Sequence, residues 1–585
     1  MTARPCALIG GRGTGKTTVL RGLSYHGQLA LSKHTGQAVA DWPFFGFYHR
    51  VNTNRVAAFH GSELSEDRWT RLFAHYVNLQ LCDTVFDFLQ WYRINSNVAF
   101  DFPREACERV AASLGIGAVS NLRELGERLT FSRIACEAYI NNVADPTQSL
   151  SLSLQGAPID ELLFQLKSLP AFSHKLFFFL IDEYENLSNY QQQVFNTLIK
   201  HSGELYTFKI GVKELGWRKR TTLNETEQLI SPADYARISI ADKLEGTFKE
   251  FATSVCNRRM KKLSVPKEYE IQDIHHVFAS LTEDEEAELL GVRDIVAEIR
   301  AELVPNLSDE DTTEFDSLTP LRAYLLRFWA EGESRSLIDT FSDFKQDPAE
   351  WETRFGNYKH ALLYTIRKRK VGISKYYCGW DVFLQLAATN IRYLLELVDQ
   401  SLLMHLRSGG NFTQNVSPRI QTEAAQNVGK KNLAELEGLS VHGAQLTKLL
   451  LGLGRVFEIM AENAVGHAPE VNQFHLADEI IAPNVEELLG SAVMHLALVR
   501  FPGNKAIDET DTKEYDYRVH PVYSPFFGFS YRRKRRMSLT GADLTGLVND
   551  PSRTIREILG RSGRLHDAEL PQQLLLFEKY YHGSA

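Results

Sequence analysis

Eight residues near the start of the chain, Gly10-Gly11-Arg12-Gly13-Thr14-Gly15-Lys16-Thr17, fit the G-x-x-x-x-G-K-[ST] spacing at every fixed position. Glycines let a backbone curl until its N–H groups face an anion, and the positive end of a following helix adds to the same field. In this arrangement Lys16 reaches the β- and γ-phosphates of a nucleotide and the Thr17 hydroxyl ligates magnesium. The segment expected to touch the nucleotide, ATP by this reading, runs from Gly10 through Thr18. A second chemical group stands far downstream. Asp182-Glu183 closes an apolar run, Lys175-Leu176-Phe177-Phe178-Phe179-Leu180-Ile181. Asp182 is expected to hold magnesium, directly or through water. Glu183 is expected to orient and deprotonate an attacking water, which makes it the catalytic base.

Both groups need particular elements behind them. Cys6-Ala7-Leu8-Ile9 reads as a short buried strand and Thr18–Leu23 as the opening of a helix, the context a phosphate loop requires. The run at 175–181 has no polar alternation, which suits a strand buried on both faces of a parallel sheet, and its carboxylates fall at the strand's C-terminal end, where such sheets bind ligands. Phe44–Val51, Tyr206–Val212 and Ala236–Ile240 read as further strands. Trp69 to about Trp91 reads as a long amphipathic helix with Trp69, Leu72, Phe73 and Tyr76 on its core face. Tyr190–His201 reads as another helix. The β–α–β alternation implies a mostly parallel sheet with helices on both sides.

The chain has 585 residues, too many for one core. Its hydrophobic share of 44% and charged share of 24% are those of an ordinary globular protein. A net charge of -8 argues against overall attraction to nucleic acid but leaves room for a local basic patch. Cys6, Cys82, Cys107, Cys136, Cys256 and Cys378 are scattered without a C-x-x-C pattern, as suits a reducing cytosol. No signal peptide and no membrane span are expected, and the expected location is cytoplasmic.

The region 246–410 reads as mostly helical, with Thr282 a candidate cap for the acidic stretch 283–286. Ser408-Gly409-Gly410-Asn411 reads as a boundary. Beyond it Ile420–Leu436, Ala444–Glu462 and Val485–Val499 read as helices. Tyr515–Pro521 and Phe526–Tyr531 read as the two extended arms of a hairpin, ending in Arg532-Arg533-Lys534-Arg535-Arg536. Five consecutive cations beside Tyr523, Phe526, Phe527 and Tyr531 are expected to contact nucleic acid through its phosphates, which gives affinity rather than sequence choice. The clusters Arg258-Arg259-Met260-Lys261-Lys262 and Arg367-Lys368-Arg369-Lys370 extend that patch if they share its face.

Taken together, GGRGTGKTT (10–18) and LIDEYENL (180–187) resemble the AAA+ ATPases of the origin-recognition and cell-division-control initiator type, in particular the bacterial ORC-CDC-like P-loop ATPases. FYHRVNTNRVAAFHG (47–61), FKIGVKELGWRKRTTLN (208–224), ATNIRYLLEL (388–397) and YRVHPVYSPFFGFSYRRKRR (517–536) add to the likeness. The resemblance implies an α/β P-loop NTPase core at 1–245, a helical lid with an insertion at 246–410, a winged-helix module at 411–548 and a helical tail at 549–585. It also implies a lid arginine, Arg392, that approaches the γ-phosphate. The strand sensor is in doubt, because Ile210-Gly211-Val212 runs into Lys213 and Glu214 with no asparagine. Arg218 and Arg220 are candidates for an arginine finger acting on a neighbouring subunit, hence a homo-oligomer.

The expected activity is hydrolysis of ATP to ADP and phosphate with Mg2+, coupled to DNA binding through the winged helix. A second reading stands beside it: a signalling or antiviral-defence ATPase whose output is an effector protein. A third is a nucleotide-binding scaffold with negligible turnover.

Overall fold

The computed structural model describes residues 3–564 apart from 146, 148, 263–272, 369–371, 413, 440–441 and 503–514. Two compact units divide the chain, Met1–Lys243 and Leu244–Ala585.

The first unit is built on a five-stranded sheet of β1 (Cys6–Ile9), β2 (Phe44–Arg50), β3 (Leu176–Asp182), β4 (Thr207–Val212) and β5 (Ala236–Ser239) in the order β2-β3-β4-β1-β5. Every pairing in it is parallel. Alternate residues of β3 serve opposite faces, which is why its sequence is apolar throughout. Phe178 and Leu180 pack with Leu8 and Leu20 on one side. Phe177 and Phe179 pack with Phe45 and Phe47 into the larger core on the other. Helix α1 (Lys16–Leu23) follows the glycine loop. Helix α2 runs Glu66–Asn95, longer than the apolar pattern alone indicates, because Ser65 caps it and Glu66 and Asp67 complement its positive end. It buries Trp69, Leu72, Phe73 and Tyr76. Helix α3 (Asn189–His201) is fixed by a capping box between Ser188 and Gln191.

The second unit begins with helices. Thr282 caps the acidic helix Glu283–Leu289, with Glu285 returning the bond. Glu286 of that helix is buried with Lys375, at 2.7 Å. The Ser408-Gly409-Gly410 turn joins α4 (Ile391–Arg407) to α5 (Pro418–Glu437), and these two helices pack on each other. Helix α6 (Gly443–Glu462) follows. Then come β6 (Val471–Leu476), α7 (Pro483–Met494), β7 (Leu498–Pro502), β8 (Tyr515–Val519) and β9 (Arg535–Leu539), with the strands in the order β7-β8-β6-β9. β8 is antiparallel to both β6 and β7, and β9 lies parallel to β6 at an edge.

Two sequence expectations change here. The helix read over Val485–Val499 stops at Met494; Leu496 takes a left-handed backbone and the chain continues as β7. Phe526–Tyr531 is no strand. Pro525 sits in the first turn of a short helix, Ser524–Phe527, which Gly528 ends in the left-handed conformation. The partner of β8 in the hairpin is therefore β7, and the basic run leads into the edge strand β9. Of the expected tail, Pro551–Arg561 is helical and 565–585 lies outside the described residues, as do Arg369 and Lys370.

Candidate functional site

β1 delivers the chain to the glycine loop at the C-terminal edge of the sheet. Gly13 and Gly15 adopt φ of 87° and 102°, a region that favours glycine. Gly15 is the residue from which α1 starts, and its side-chain-free backbone lets the helix N-terminus face the loop. The Thr14 hydroxyl donates to the Gly11 carbonyl at 3.0 Å and tightens the curl. The Lys16 ammonium is buried and donates to the carbonyls of Gly10 and Gly11 at 2.7 and 2.9 Å. Burial pushes it below the ordinary lysine range, against the opposing pull of Glu185 and Asp182.

β4 separates the loop's strand from β3, yet the two motifs meet over its end. The Thr17 hydroxyl donates to Asp182 Oδ2 at 2.7 Å. Gly211 of β4 leaves room for this: a Cβ there would lie 2.8 Å from Asp182 Oδ1 and 2.8 Å from Leu20 Cδ1. Glycine at this position of β4 is thus what lets the carboxylate approach α1.

β2 brings two side chains that the motifs do not announce. Its register sets Arg50 opposite Asp182. The Tyr48 hydroxyl donates to the same Asp182 oxygen as Thr17, at 2.9 Å. Burial pushes this phenol up, so it remains a donor. Arg50 holds Glu183 at 2.8 Å. Glu183 has a left-handed backbone, φ 59°, and also accepts from the Asn186 amide at 3.2 Å. Arg50, Val51, Asn52, Thr53, Asn54 and Glu183 line an open hollow of about 440 Å3. Glu185 is buried and accepts from the Lys213 backbone N–H at 3.1 Å. No local pattern marks Tyr48 or Arg50; the signal lies in strand pairing across more than 130 residues.

The remaining expected residues sit in the loop and α1 or face other partners. Arg12 is in the loop, and Thr18 is in the first turn of α1. The Arg218 guanidinium donates to the carbonyls of Glu185 and Leu187 and to the Asn189 side chain, which ties the loop after β4 to the start of α3. Arg220 stacks over Trp217, 4.2 Å from the ring centre. Arg392, in the second unit, is held at 2.8 Å by both Glu396 and Glu435. In the basic run, Arg532 faces Glu470 at 3.5 Å, Arg533 covers the Phe501 ring at 3.8 Å and Arg536 pairs with Asp516 at 2.6 Å. Lys534 and Arg535 are exposed.

A family model described as ORC-CDC6-like matches residues 1–539. The chain belongs to the ORC-CDC6-like family. Membership makes it an AAA+ protein of the nucleotide-dependent switch type, and the parallel sheet with its helical regions fits an AAA+ core. Among solved structures the chain is similar to Cdc6p from Pyrobaculum aerophilum, with 11% identity, 95% of this chain and 88% of that chain covered, and a TM-score of 0.22. No curated protein matches it. Among the described residues no helix is long and apolar enough to cross a membrane.

Proposed function

We propose that the chain binds and hydrolyses ATP, and that nucleotide state governs contact of its second unit with DNA. The observation that carries the first half is the Thr17–Asp182 hydrogen bond, which joins the phosphate loop to the acidic strand. The donors present fit a magnesium nucleotide: a glycine cradle, a lysine above it, and a hydroxyl and a carboxylate already in contact. Lys16 and the N–H groups of Gly10 to Thr18 would hold the phosphates; Thr17 and Asp182 would hold the metal. Magnesium, when bound, supplies charge neutralisation at the phosphates.

Glu183 accepts the proton of the attacking water. Arg50 competes for the same carboxylate, so the base is active when Arg50 lets go. Lys16 leaves the carbonyls of Gly10 and Gly11 for the phosphates. To act as a finger toward a neighbouring copy, Arg218 would have to release its three acceptors and Arg220 would have to leave the Trp217 and Tyr235 rings. Arg392 can serve a γ-phosphate only by leaving Glu396 and Glu435.

The test of nucleotide binding is calorimetric titration of Mg-ATP into wild type and Lys16→Ala. Wild type should bind and the variant should show no detectable heat; equal affinities would remove the phosphate-loop assignment. For DNA, the supporting feature is the exposed pair Lys534 and Arg535 within a basic edge. A second reading, a protein partner as output, is favoured by the internal partners of Arg532, Arg533 and Arg536 and by the net charge of -8.

A further inference from the structure

β4 stands between β3 and β1 in the sheet. The chain leaving its C-terminal end therefore emerges between the phosphate loop, which follows β1, and Glu183, which follows β3. A terminal phosphate held by the loop and attacked from the side of Glu183 has to lie in that interval. The first residue past β4 is Lys213. Strand pairing fixes its place beside the loop: Ile9 lies opposite Val212, and the Gly10 N–H donates to the Val212 carbonyl at 3.3 Å.

Both carboxylate oxygens of Glu185 face Lys213. One accepts from its backbone N–H at 3.1 Å, and the other lies 3.5 Å from its ammonium. The Glu185 side chain is 5% exposed and that of Lys213 19%. The pair is held from both sides. Glu185 belongs to the single helical turn Tyr184–Asn186, which the fully buried Tyr184 anchors by donating to the Asn196 side chain at 2.9 Å. Arg218 donates to the Glu185 carbonyl at 3.0 Å. On the other side the Gly216 N–H closes a turn on the Lys213 carbonyl at 2.9 Å. A Cβ on Gly216 would lie 2.6 Å from the Glu185 Cβ, so glycine is what lets that turn fold against the carboxylate. Glu185 is also the strongest of the charges drawing on Lys16, ahead of Asp182 and Glu183, while Lys213 opposes it. One buried carboxylate thus serves two lysines.

We propose that Lys213 is the residue that tells a nucleoside triphosphate from a diphosphate, and that Glu185 positions it. This rests on the phosphate-loop reading above. An ammonium carries three donors. Lys213 can keep one on Glu185 and turn another to an oxygen of the terminal phosphate. A diphosphate offers it no such oxygen. Lys16 reaches the inner phosphates of both nucleotides and so contributes to the affinity for each. Glu185 offsets the repulsion between the two lysines, and without it the Lys213 ammonium turns to water.

The experiment is calorimetric titration of the full chain, with magnesium, by ADP and by the β,γ-imido analogue of ATP, which is not hydrolysed. Lys213→Met should weaken binding of the triphosphate about 10–100-fold, the worth of a hydrogen bond to a charged group, and leave ADP within about threefold. Glu185→Gln should lower triphosphate affinity about tenfold with ADP again little changed. Lys213→Met/Glu185→Gln should be no weaker than Lys213→Met alone, since a positioning residue acts through the group it positions. The double variant buries no unpaired charge, so it carries the same comparison of nucleotides if Lys213→Met does not fold. Equal losses for the two nucleotides, or no loss, overturn the assignment of Lys213. Losses that add in the double variant overturn the positioning role of Glu185. Lys16→Ala serves as the control and should lose both nucleotides. Wild type that binds neither nucleotide overturns the phosphate-loop reading itself, and this inference with it.

Discussion

The phosphate-loop edge of the first unit and the basic run of the second both concentrate charge, but they dispose of it differently. In the first, the charged and polar groups are held by one another: Lys16 by the loop, Thr17 and Tyr48 by Asp182, Glu183 by Arg50. A ligand there inherits a prepared set of donors and acceptors. In the second, three of five cations are drawn off separately, by Glu470, by the Phe501 ring and by Asp516. A row of cations in sequence therefore overstates the charge available to a partner. A glycine loop understates its site, because strand pairing adds residues that the loop does not contain.

The largest expected effect tests whether a buried charge in the second unit depends on its partner. Lys375 and Glu286 are buried together, and Lys375→Met leaves Glu286 without its cation. Removing one partner of such a pair costs about 3–5 kcal/mol. Denaturant unfolding should show that loss in the second unit, with Mg-ATP affinity unchanged. Equal midpoints for variant and wild type would mean the pair is solvated. Next is Asp182→Asn. The amide keeps the shape but loses the charge facing magnesium, and Mg-dependent turnover should fall by about 100-fold, in keeping with the several kcal/mol a metal contributes. Turnover within a few-fold of wild type would take Asp182 out of the metal site.

Much of this contrast was legible in the sequence and some was not. The phosphate loop and Asp182-Glu183 are contiguous motifs, so residue order alone exposes them. β3 was legible because a strand buried on both faces is apolar without interruption; β4 was legible as a mostly apolar run although Lys209 interrupts it. Tyr48 and Arg50 were not, since their role depends on β2 pairing with β3 in a register that no local pattern encodes. Phe526–Tyr531 looked extended because aromatic residues favour strands; Pro525 and Gly528 instead start and stop a helical turn. The helix at Pro551–Arg561 was expected as part of a helical tail, and its buried residues at 551, 554, 555, 558 and 559 form the stripe by which it packs.

Two smaller effects sharpen the reading of β2. Tyr48→Phe removes one donor to Asp182. A hydrogen bond to a charged group is worth about 1.5–3 kcal/mol, so stability should fall by up to that amount and the magnesium concentration for half-maximal turnover should shift by up to roughly tenfold. An unchanged magnesium requirement would make Tyr48 a packing residue. Arg50→Ala should have the smallest effect. The pair with Glu183 is mostly exposed on the arginine side, and such pairs are worth about 0–1 kcal/mol. Freeing the base should raise basal turnover by about fivefold at most. A large fall in turnover would mean that Arg50 takes part in the chemistry rather than restraining Glu183.

The measurement that bears most directly on the ATPase site is Mg-ATP affinity and steady-state phosphate release compared for wild type and Glu183→Gln. The amide keeps the size of the side chain but cannot take a proton. Affinity should stay within a few-fold of wild type while turnover falls by about 10²–10⁴-fold, the range contributed by a positioned general base. A Glu183→Gln protein that binds ATP and releases phosphate at the wild-type rate would contradict the assignment of Glu183 as the base and, with it, the reading of this edge of the sheet as the hydrolytic centre.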